Sequence, residues 1–387
     1  MARPLPTPFD EITIPEMFSP TAIASAGGCQ LRMIAASTPK PLPSLPSGPF
    51  VELGILAHRV LERYSRGAGP AGSVFDACER ESLKRLHSDA SMAHYADLPS
   101  AVGLAYWSRF RANLVARCER VPVRAQSIRA SQTRTPILVG TERVLTSTKL
   151  RLKGRPDQMR RMGAVLEIRD YKTGRIHDAA GELRSEIVIQ LWCYGLLVLE
   201  RDPMADIRLI VDNGEDHEIP FGLAEQKQAR RAIRRALRGF AAGRSFSAIT
   251  LASPGESCAN CPVRDRCRAY LSVAPTWWRL GPETPDELAR DVWGIVTAVS
   301  TDSAGAISVV LKDAVDRKVK IDRLDSRHCA NASWIGREVW FFNLESTVFR
   351  RASNGRRLHP MSFHELPADS AQRCAWALRL YVGGPPL

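Results

Sequence analysis

Residues 154–174, G-R-P-D-Q-M-R-R-M-G-A-V-L-E-I-R-D-Y-K-T-G, constrain this chain more tightly than any other stretch. Asp157 closes one extended segment, a short turn follows, and an apolar strand then carries Asp170 and Lys172 two positions apart. Side chains alternate across a strand, so Leu166, Ile168, Asp170 and Lys172 share one face while Glu167, Arg169 and Tyr171 share the other. Two carboxylates and a lysine brought to one point make a site for a hard divalent cation and a polarised phosphate. Strand parity also chooses the second carboxylate: Asp170 faces the site, and Glu167 turns away.

The flanks read as an α/β core. Residues 122–152 switch to period-two patterning and predict antiparallel strands leading into Asp157. After Thr173-Gly174, the run S-E-I-V-I-Q-L-W-C-Y-G-L-L-V-L places Ile187, Leu191, Tyr194 and Val198 at helical spacing, with Gln190 and Tyr194 one turn apart. The strand A-D-I-R-L-I-V-D comes next, so the order is strands, helix, strand. Upstream, Ser19-Pro20-Thr21 starts a helix that continues or breaks at Gly27-Gly28, beside Cys29. A proline-rich loop at 37–49 follows, then a helix, G-I-L-A-H-R-V-L-E-R-Y, carrying His58. Residues 75–120 read as helical, with Leu104, Trp107, Phe110 and Leu114 as a core-facing stripe.

A length of 387 residues predicts two domains. Lys plus Arg number 54 against 41 for Asp plus Glu, a net charge of +13. Such an excess fits a polyanionic partner, with plain solubility as the bland account. There is no apolar run of the roughly 18 residues a membrane span needs. The first residues, M-A-R-P-L-P-T-P-F-D-E, lack a secretory pattern, which predicts a cytoplasmic chain. Nine cysteines then read as thiols or metal ligands rather than a disulfide framework. Cys258, Cys261 and Cys267 show C-x2-C-x5-C spacing, which points to a metal without fixing which one or where a fourth ligand lies. Before them, a helix over 226–239 puts Arg230, Arg234 and Arg238 at four-residue steps, either a solvated face or a rail for phosphates.

Beyond Pro275 the pattern changes to five short, turn-separated strand candidates, which predict a small OB-like barrel. Trp293, Trp340, Phe341, Phe342 and Phe349 are candidates for base stacking, although aromatics on strands are more often core. The segment A-D-S-A-Q-R-C-A-W-A-L-R-L-Y-V predicts a closing helix.

Taken in order, these pieces resemble RecB-like nucleases of the PD-(D/E)XK superfamily, in the branch that carries an iron–sulfur cluster. That branch includes the CRISPR-adaptation exonucleases and the nuclease module of AddB-type helicase–nuclease subunits. G-I-L-A-H-R-V-L-E matches the helix motif through His58, and G-R-P-D matches the G-x-x-D motif through Asp157. I-R-D-Y-K-T-G matches the acidic-x-Lys motif through Asp170 and Lys172, and Q-L-W-C-Y matches the Q-x3-Y motif through Gln190 and Tyr194. Cys29 before these motifs and Cys258, Cys261 and Cys267 after them match the split cluster motif. The resemblance covers roughly residues 18–272 and leaves the C-terminal strands outside it.

The resemblance implies a mixed sheet flanked by helices over a nuclease domain, 1–275, with a β-rich domain over 276–387. It implies Mg²⁺ or Mn²⁺ held by His58, Asp157, Asp170 and the backbone carbonyl of Tyr171. Lys172 then orients water or stabilises the transition state, with Gln190 and Tyr194 positioning it. A [4Fe–4S] cluster on the four cysteines is expected to be structural. The implied activity is a metal-dependent deoxyribonuclease acting on single strands or DNA ends. The competing readings are an inactive nuclease fold that recruits DNA to a helicase, and a zinc-stabilised structural protein. No G-x4-G-K-S/T motif occurs, so any helicase or ATPase activity would have to come from another chain.

Overall fold

V-L-E-I-R-D-Y, as expected, is a central strand. The computed structural model describes residues 3–4, 7–38, 45, 48–88, 98–120, 140–141, 143–178, 180–258, 261–280, 291–303, 305–312, 318–324, 332–346, 349–351, 358–360, 371–373 and 379–382. By packing the chain divides into two units, Thr13–Pro39 with Pro49–Arg244, and Met1–Ile12 with Lys40–Gly48 and Ser245–Leu387. No helix among the described residues is long and apolar enough to cross a membrane.

In the first unit the helices are α1 (Pro20–Ser25), α2 (Gln30–Ala35), α3 (Pro49–Ser65), α4 (Ala71–Ser88), α5 (Leu98–Val102), α6 (Leu104–Arg120), α7 (Ser185–Leu199) and α8 (Leu223–Ala236). The strands are β1 (Gly140–Thr141), β2 (Leu145–Ser147), β3 (Leu152–Gly154), β4 (Gln158–Met162), β5 (Val165–Tyr171), β6 (Asp206–Asp212) and β7 (Asp216–Ile219). The sheet order is β1-β4-β5-β6-β7, with β5 and β6 parallel and the other pairs antiparallel. Two parallel neighbours need a crossover, and α7 supplies it. β5 is buried along nearly all its length, its charged Glu167, Arg169 and Asp170 included.

Ser19 caps α1 as the sequence requires, its hydroxyl accepting from the Ala22 amide at 3.1 Å. α7 packs on α1, α8 and the sheet, and its buried positions include Ile187, Leu191, Tyr194 and Val198. α3, α4 and α6 pack on one another. In the stripe on α6, Trp107 and Leu114 are buried, whereas Leu104 is 67% exposed and leaves the core. The strands expected before Asp157 are only partly in the main sheet. β2 and β3 pair with each other as a separate hairpin, and residues 121–139 lie outside the described residues.

Gly154 ends β3 where two side chains converge. A Cβ there would stand 2.6 Å from Pro20 Cδ and 2.8 Å from Tyr194 Cε1. Gly154→Ala should therefore lower stability by about 1–3 kcal/mol through overpacking. An unchanged denaturation midpoint would remove this explanation for the glycine.

In the second unit a helix, α9 (Arg268–Leu280), precedes strands β8 (Val292–Thr301), β9 (Ile307–Lys312), β10 (Lys318–Leu324), β11 (Glu338–Phe342), β12 (Glu345–Ser346), β13 (Ala371–Arg373) and β14 (Arg379–Val382). Among the described residues the expected barrel does not close. Arg3–Pro4, β14, β11, β8, β9, β10, β13 and β12 line up as one open eight-stranded sheet. The reason is non-local pairing: Arg3–Pro4 joins β14 in parallel, and β13 joins β10 in parallel. Hairpin patterning cannot foresee either partner. The fifth predicted strand, around Leu358–Pro360, pairs instead with Phe349–Arg351 in a small sheet of its own.

The closing helix is also corrected. Its described residues are the strands β13 and β14, and β14 pairs antiparallel with β11, Trp340 opposite Tyr381. Pairing beside E-V-W-F-F holds Arg379–Val382 extended.

One face of this sheet holds Val292, Val309, Leu311, Ile321, Val339 and Phe341 in a closed core. On the other face Trp293 stacks on Trp340 at 4.2 Å and Trp340 on Phe342 at 5.5 Å, all three buried. These aromatics, with Phe341, are core and have no face free for bases; the Phe349 side chain lies outside the described residues. Arg264 ties the cysteine segment to this sheet: Nε and Nη2 donate to Asp291 at 2.5 and 2.9 Å, and Nη2 donates to Asn343 Oδ1 at 2.5 Å. The Tyr270 hydroxyl donates to Asp291 at 2.5 Å, so a fully buried aspartate is paired on every side.

Candidate active site

Asp170 is the last residue but one of β5, and Lys172 follows the end of the strand. The Lys172 ammonium lies 2.6 Å from Asp170 Oδ2 and donates to Gln190 Oε1 at 3.0 Å. Gln190, from α7, also donates from Nε2 to Asp170 Oδ1 at 3.0 Å, so one amide holds both members of the pair. Four residues along α7, the Tyr194 hydroxyl donates to the Arg155 carbonyl at 3.2 Å and braces the turn that carries Asp157. Asp157 sits in the bend between β3 and β4. Its Oδ2 accepts from the Tyr171 amide at 2.6 Å, and its Oδ1 lies 3.0 Å from His58 Nδ1 on α3. The structure thus brings together His58, Asp157, Asp170, Tyr171, Lys172 and Gln190, with Tyr194 behind them.

Glu167 lies on the opposite face and is fully buried there. Arg160 Nε is 2.6 Å from it, Arg169 Nε donates at 3.2 Å, and Arg169 continues to Asp212 and Asp216. This carboxylate is consumed by a buried ion network that welds β4, β5, β6 and β7.

Burial pushes the Asp170 carboxyl up to about 6, even with the Lys172 ammonium beside it pulling the other way. Burial alone would lower the His58 imidazole, but the Asp157 carboxylate outweighs it and raises His58 above its ordinary value. Burial likewise raises the Tyr194 phenol, which stays protonated as a donor.

Among the described residues, no group of three or more His, Cys, Asp or Glu stands ready-made around a metal position. At the site itself, both Asp157 oxygens and Asp170 Oδ1 are engaged by protein donors. Asp170 Oδ2 is the exception: it is buried and has Lys172 close by, yet accepts no well-directed hydrogen bond. Two carboxylates with one under-satisfied oxygen form a hard donor set, whose chemistry fits Mg²⁺ or Mn²⁺.

The family model of the PD-(D/E)XK nuclease superfamily matches residues 17–268, about two thirds of the chain. The chain belongs to that superfamily. No curated protein matches it. PD-(D/E)XK nucleases are in general hydrolytic enzymes that use Mg²⁺ or a similar divalent metal, and the fold implies a DNA substrate. All of His58, Asp157, Asp170, Lys172, Gln190 and Tyr194 fall within the match, as do the four cysteines.

In this PD-(D/E)XK chain Cys29 is the N-cap of α2 in an extended conformation and is buried in the first unit. Cys258, Cys261 and Cys267 are buried in the second. Gly255 donates its amide to Cys258 Sγ at 3.5 Å, and Tyr270 donates to Cys267 Sγ at 3.4 Å. The arginine stripe is shorter than expected. α8 stops at Ala236, so the four-residue step holds for Arg230 and Arg234, while Arg238 follows the C-cap. Arg230 is half-buried and lies 3.4 Å from Glu200, whereas Arg234 and Arg238 are exposed.

Two residues at this site escape a reading of the sequence. Arg117 looks like one more arginine on a helix, and Asp212 like a strand's last residue. In the structure Asp212 ends β6 in parallel register with Tyr171.

Proposed function

We propose that the chain is a divalent-metal-dependent deoxyribonuclease of the RecB-like kind, acting on single strands or DNA ends. The observation that carries this reading is the bonded set of Asp170, Lys172 and Gln190, with Asp157 bonded to the Tyr171 amide between the first two. Asp157 and Asp170 hold Mg²⁺ or Mn²⁺, with His58 and the Tyr171 carbonyl as further ligands. When bound, such an ion lowers the pKa of water and polarises the phosphate. Lys172, aimed by Gln190, moves from Asp170 toward the scissile phosphate and offsets the charge that develops there. His58 keeps Asp157 oriented through Nδ1, and Tyr194 keeps the Arg155–Asp157 turn in place.

In this reading residues 1–275 carry the nuclease and 276–387 form an appended β-rich domain. Purified protein with labelled linear, circular, end-blocked and single-stranded DNA, in Mg²⁺ or Mn²⁺, tests the activity. Cleavage confined to single strands or free ends supports it. Uniform inactivity favours a scaffold that recruits DNA to a helicase chain, a reading that the intact D…D-x-K set weighs against.

The finer assignment is a [4Fe–4S] cluster on Cys29, Cys258, Cys261 and Cys267. What supports it is the order of the cysteine motifs, one before the nuclease motifs and three after them. Replacing Cys258 and Cys261 with serine should abolish the brown colour and lower thermal stability. A colourless wild-type protein containing zinc would overturn the cluster, and unaltered variants would overturn any metal there.

The exposed Arg234 and Arg238 are assigned to the DNA backbone, together with Arg230. Neutral substitutions at all three should weaken binding and flatten the plot of log affinity against log salt, by about one unit for each phosphate no longer neutralised. A slope equal to that of the wild type would return the stripe to a solvated face.

A further inference from the structure

We propose that Arg117 is a positioning residue for DNA cleavage, its buried guanidinium fixing the backbone at Tyr171–Lys172 so that Lys172 points at the phosphate. The inference rests on the nuclease reading above. Arg117 lies in the last turn of α6 and is only 6% exposed. Its Nη1 donates to the Lys172 carbonyl at 3.3 Å. Its Nη2 donates to the Asp212 carbonyl and lies 2.8 Å from Asp212 Oδ1. The guanidinium carbon stands 5.1 Å from the centre of the Tyr171 ring, over its face.

β5 ends at Tyr171, yet residue 172 is held as if the ladder continued. The Lys172 amide donates to the Asp212 carbonyl at 2.8 Å, and Arg117 takes the Lys172 carbonyl. Tyr171 is gripped from two sides, its amide by Asp157 and its ring by Arg117. The two residues that lead into the catalytic lysine therefore have little freedom to rotate. A lysine at 117 would keep the charge, but a single ammonium cannot span two carbonyls and a carboxylate while lying flat on a ring.

The role is separable from folding. Asp212 Oδ2 also accepts from Arg169 Nη1 at 3.0 Å, so losing Arg117 does not strand the carboxylate. Asp216 offers a matched control, because it bonds Arg169 Nη1 and Nη2 on the same face and makes no bond to residues 171–172.

The test compares wild type, Arg117→Lys, Arg117→Met and Asp216→Asn as full-length proteins. It measures single-turnover cleavage at saturating DNA and metal, DNA affinity in EDTA, melting temperature, and amide exchange across residues 170–174. Both Arg117 variants are expected to cleave about 10- to 100-fold more slowly, the usual cost of removing a group that orients a reactive one. Their DNA affinity is expected to be unchanged, with faster exchange at 171–173. Asp216→Asn should lose stability without losing rate. Wild-type cleavage by either Arg117 variant overturns the proposal, as does an equal loss of rate in Asp216→Asn. A wild-type protein that cleaves nothing overturns the nuclease reading and this inference with it, an outcome visible before any variant is made.

Discussion

Lys172→Ala is expected to slow single-turnover cleavage by about 100- to 1,000-fold, the cost of losing one preorganised donor at a developing charge. DNA affinity measured in EDTA should stay at the wild-type level. The expectation follows from where the ammonium is held. It stands 2.6 Å from Asp170 Oδ2 and 3.0 Å from Gln190 Oε1, and its side chain is 26% exposed, so it is both fixed and reachable by a phosphate. Removing it deprives no DNA-contacting surface of charge elsewhere, which is why rate and affinity should separate. It does leave the buried Asp170 with Gln190 as its remaining close partner, so the melting temperature must be read alongside the rate. Lys172→Arg should not restore activity, because a planar fork cannot occupy the place of a compact ammonium between a carboxylate and an amide oxygen. Undiminished cleavage by Lys172→Ala would remove the lysine from the mechanism and leave Asp157 and Asp170 without their assigned partner.

How much of this was legible in the sequence depended on how local the causes were. The face on which Asp170 lies follows from strand parity alone, and Glu167 sits in its ion network on the other face as parity requires. Helical spacing likewise placed Gln190 and Tyr194 one turn apart, and both reach the site turn or its pair. What failed was whatever depended on partners distant in sequence. β8 to β11 were visible as strands, but β13 and β14 were read as a helix and the open sheet as a barrel, because Arg3–Pro4 and β13 enter the sheet in parallel from far along the chain. Arg117 was invisible for a related reason. Nothing in A-R-C-E-R distinguishes an arginine buried against β5 and β6 from one in solvent, since its partners are two backbone carbonyls and the side chains of Tyr171 and Asp212, all distant in sequence.

Asp170→Asn should abolish metal-dependent cleavage, by about 1,000-fold or more, as expected when several kcal/mol of metal-derived stabilisation is lost. It should also make the metal-free protein more stable at neutral pH. Burial lifts the Asp170 carboxyl from an ordinary 3.8 to about 6 in the folded chain. A carboxyl raised by folding contributes stability that is full below about pH 3.8 and is lost as pH rises through about 6. Above that window the wild type carries an ionised, buried carboxylate that asparagine does not. The penalty is at most about 3 kcal/mol, a figure that already includes the opposing pull of Lys172. In EDTA at pH 7.5, Asp170→Asn should therefore melt about 2–6 °C above the wild type. The two proteins should converge near pH 4, where Asp170 is protonated and nearly isosteric with asparagine. Mg²⁺ or Mn²⁺ should reverse the order at pH 7.5 by stabilising only the chain that can bind it. A variant less stable than the wild type in EDTA at pH 7.5 would mean that the Lys172 pair outweighs desolvation. Asp170 would then be a structural ion-pair partner rather than a carboxylate held under strain for a metal.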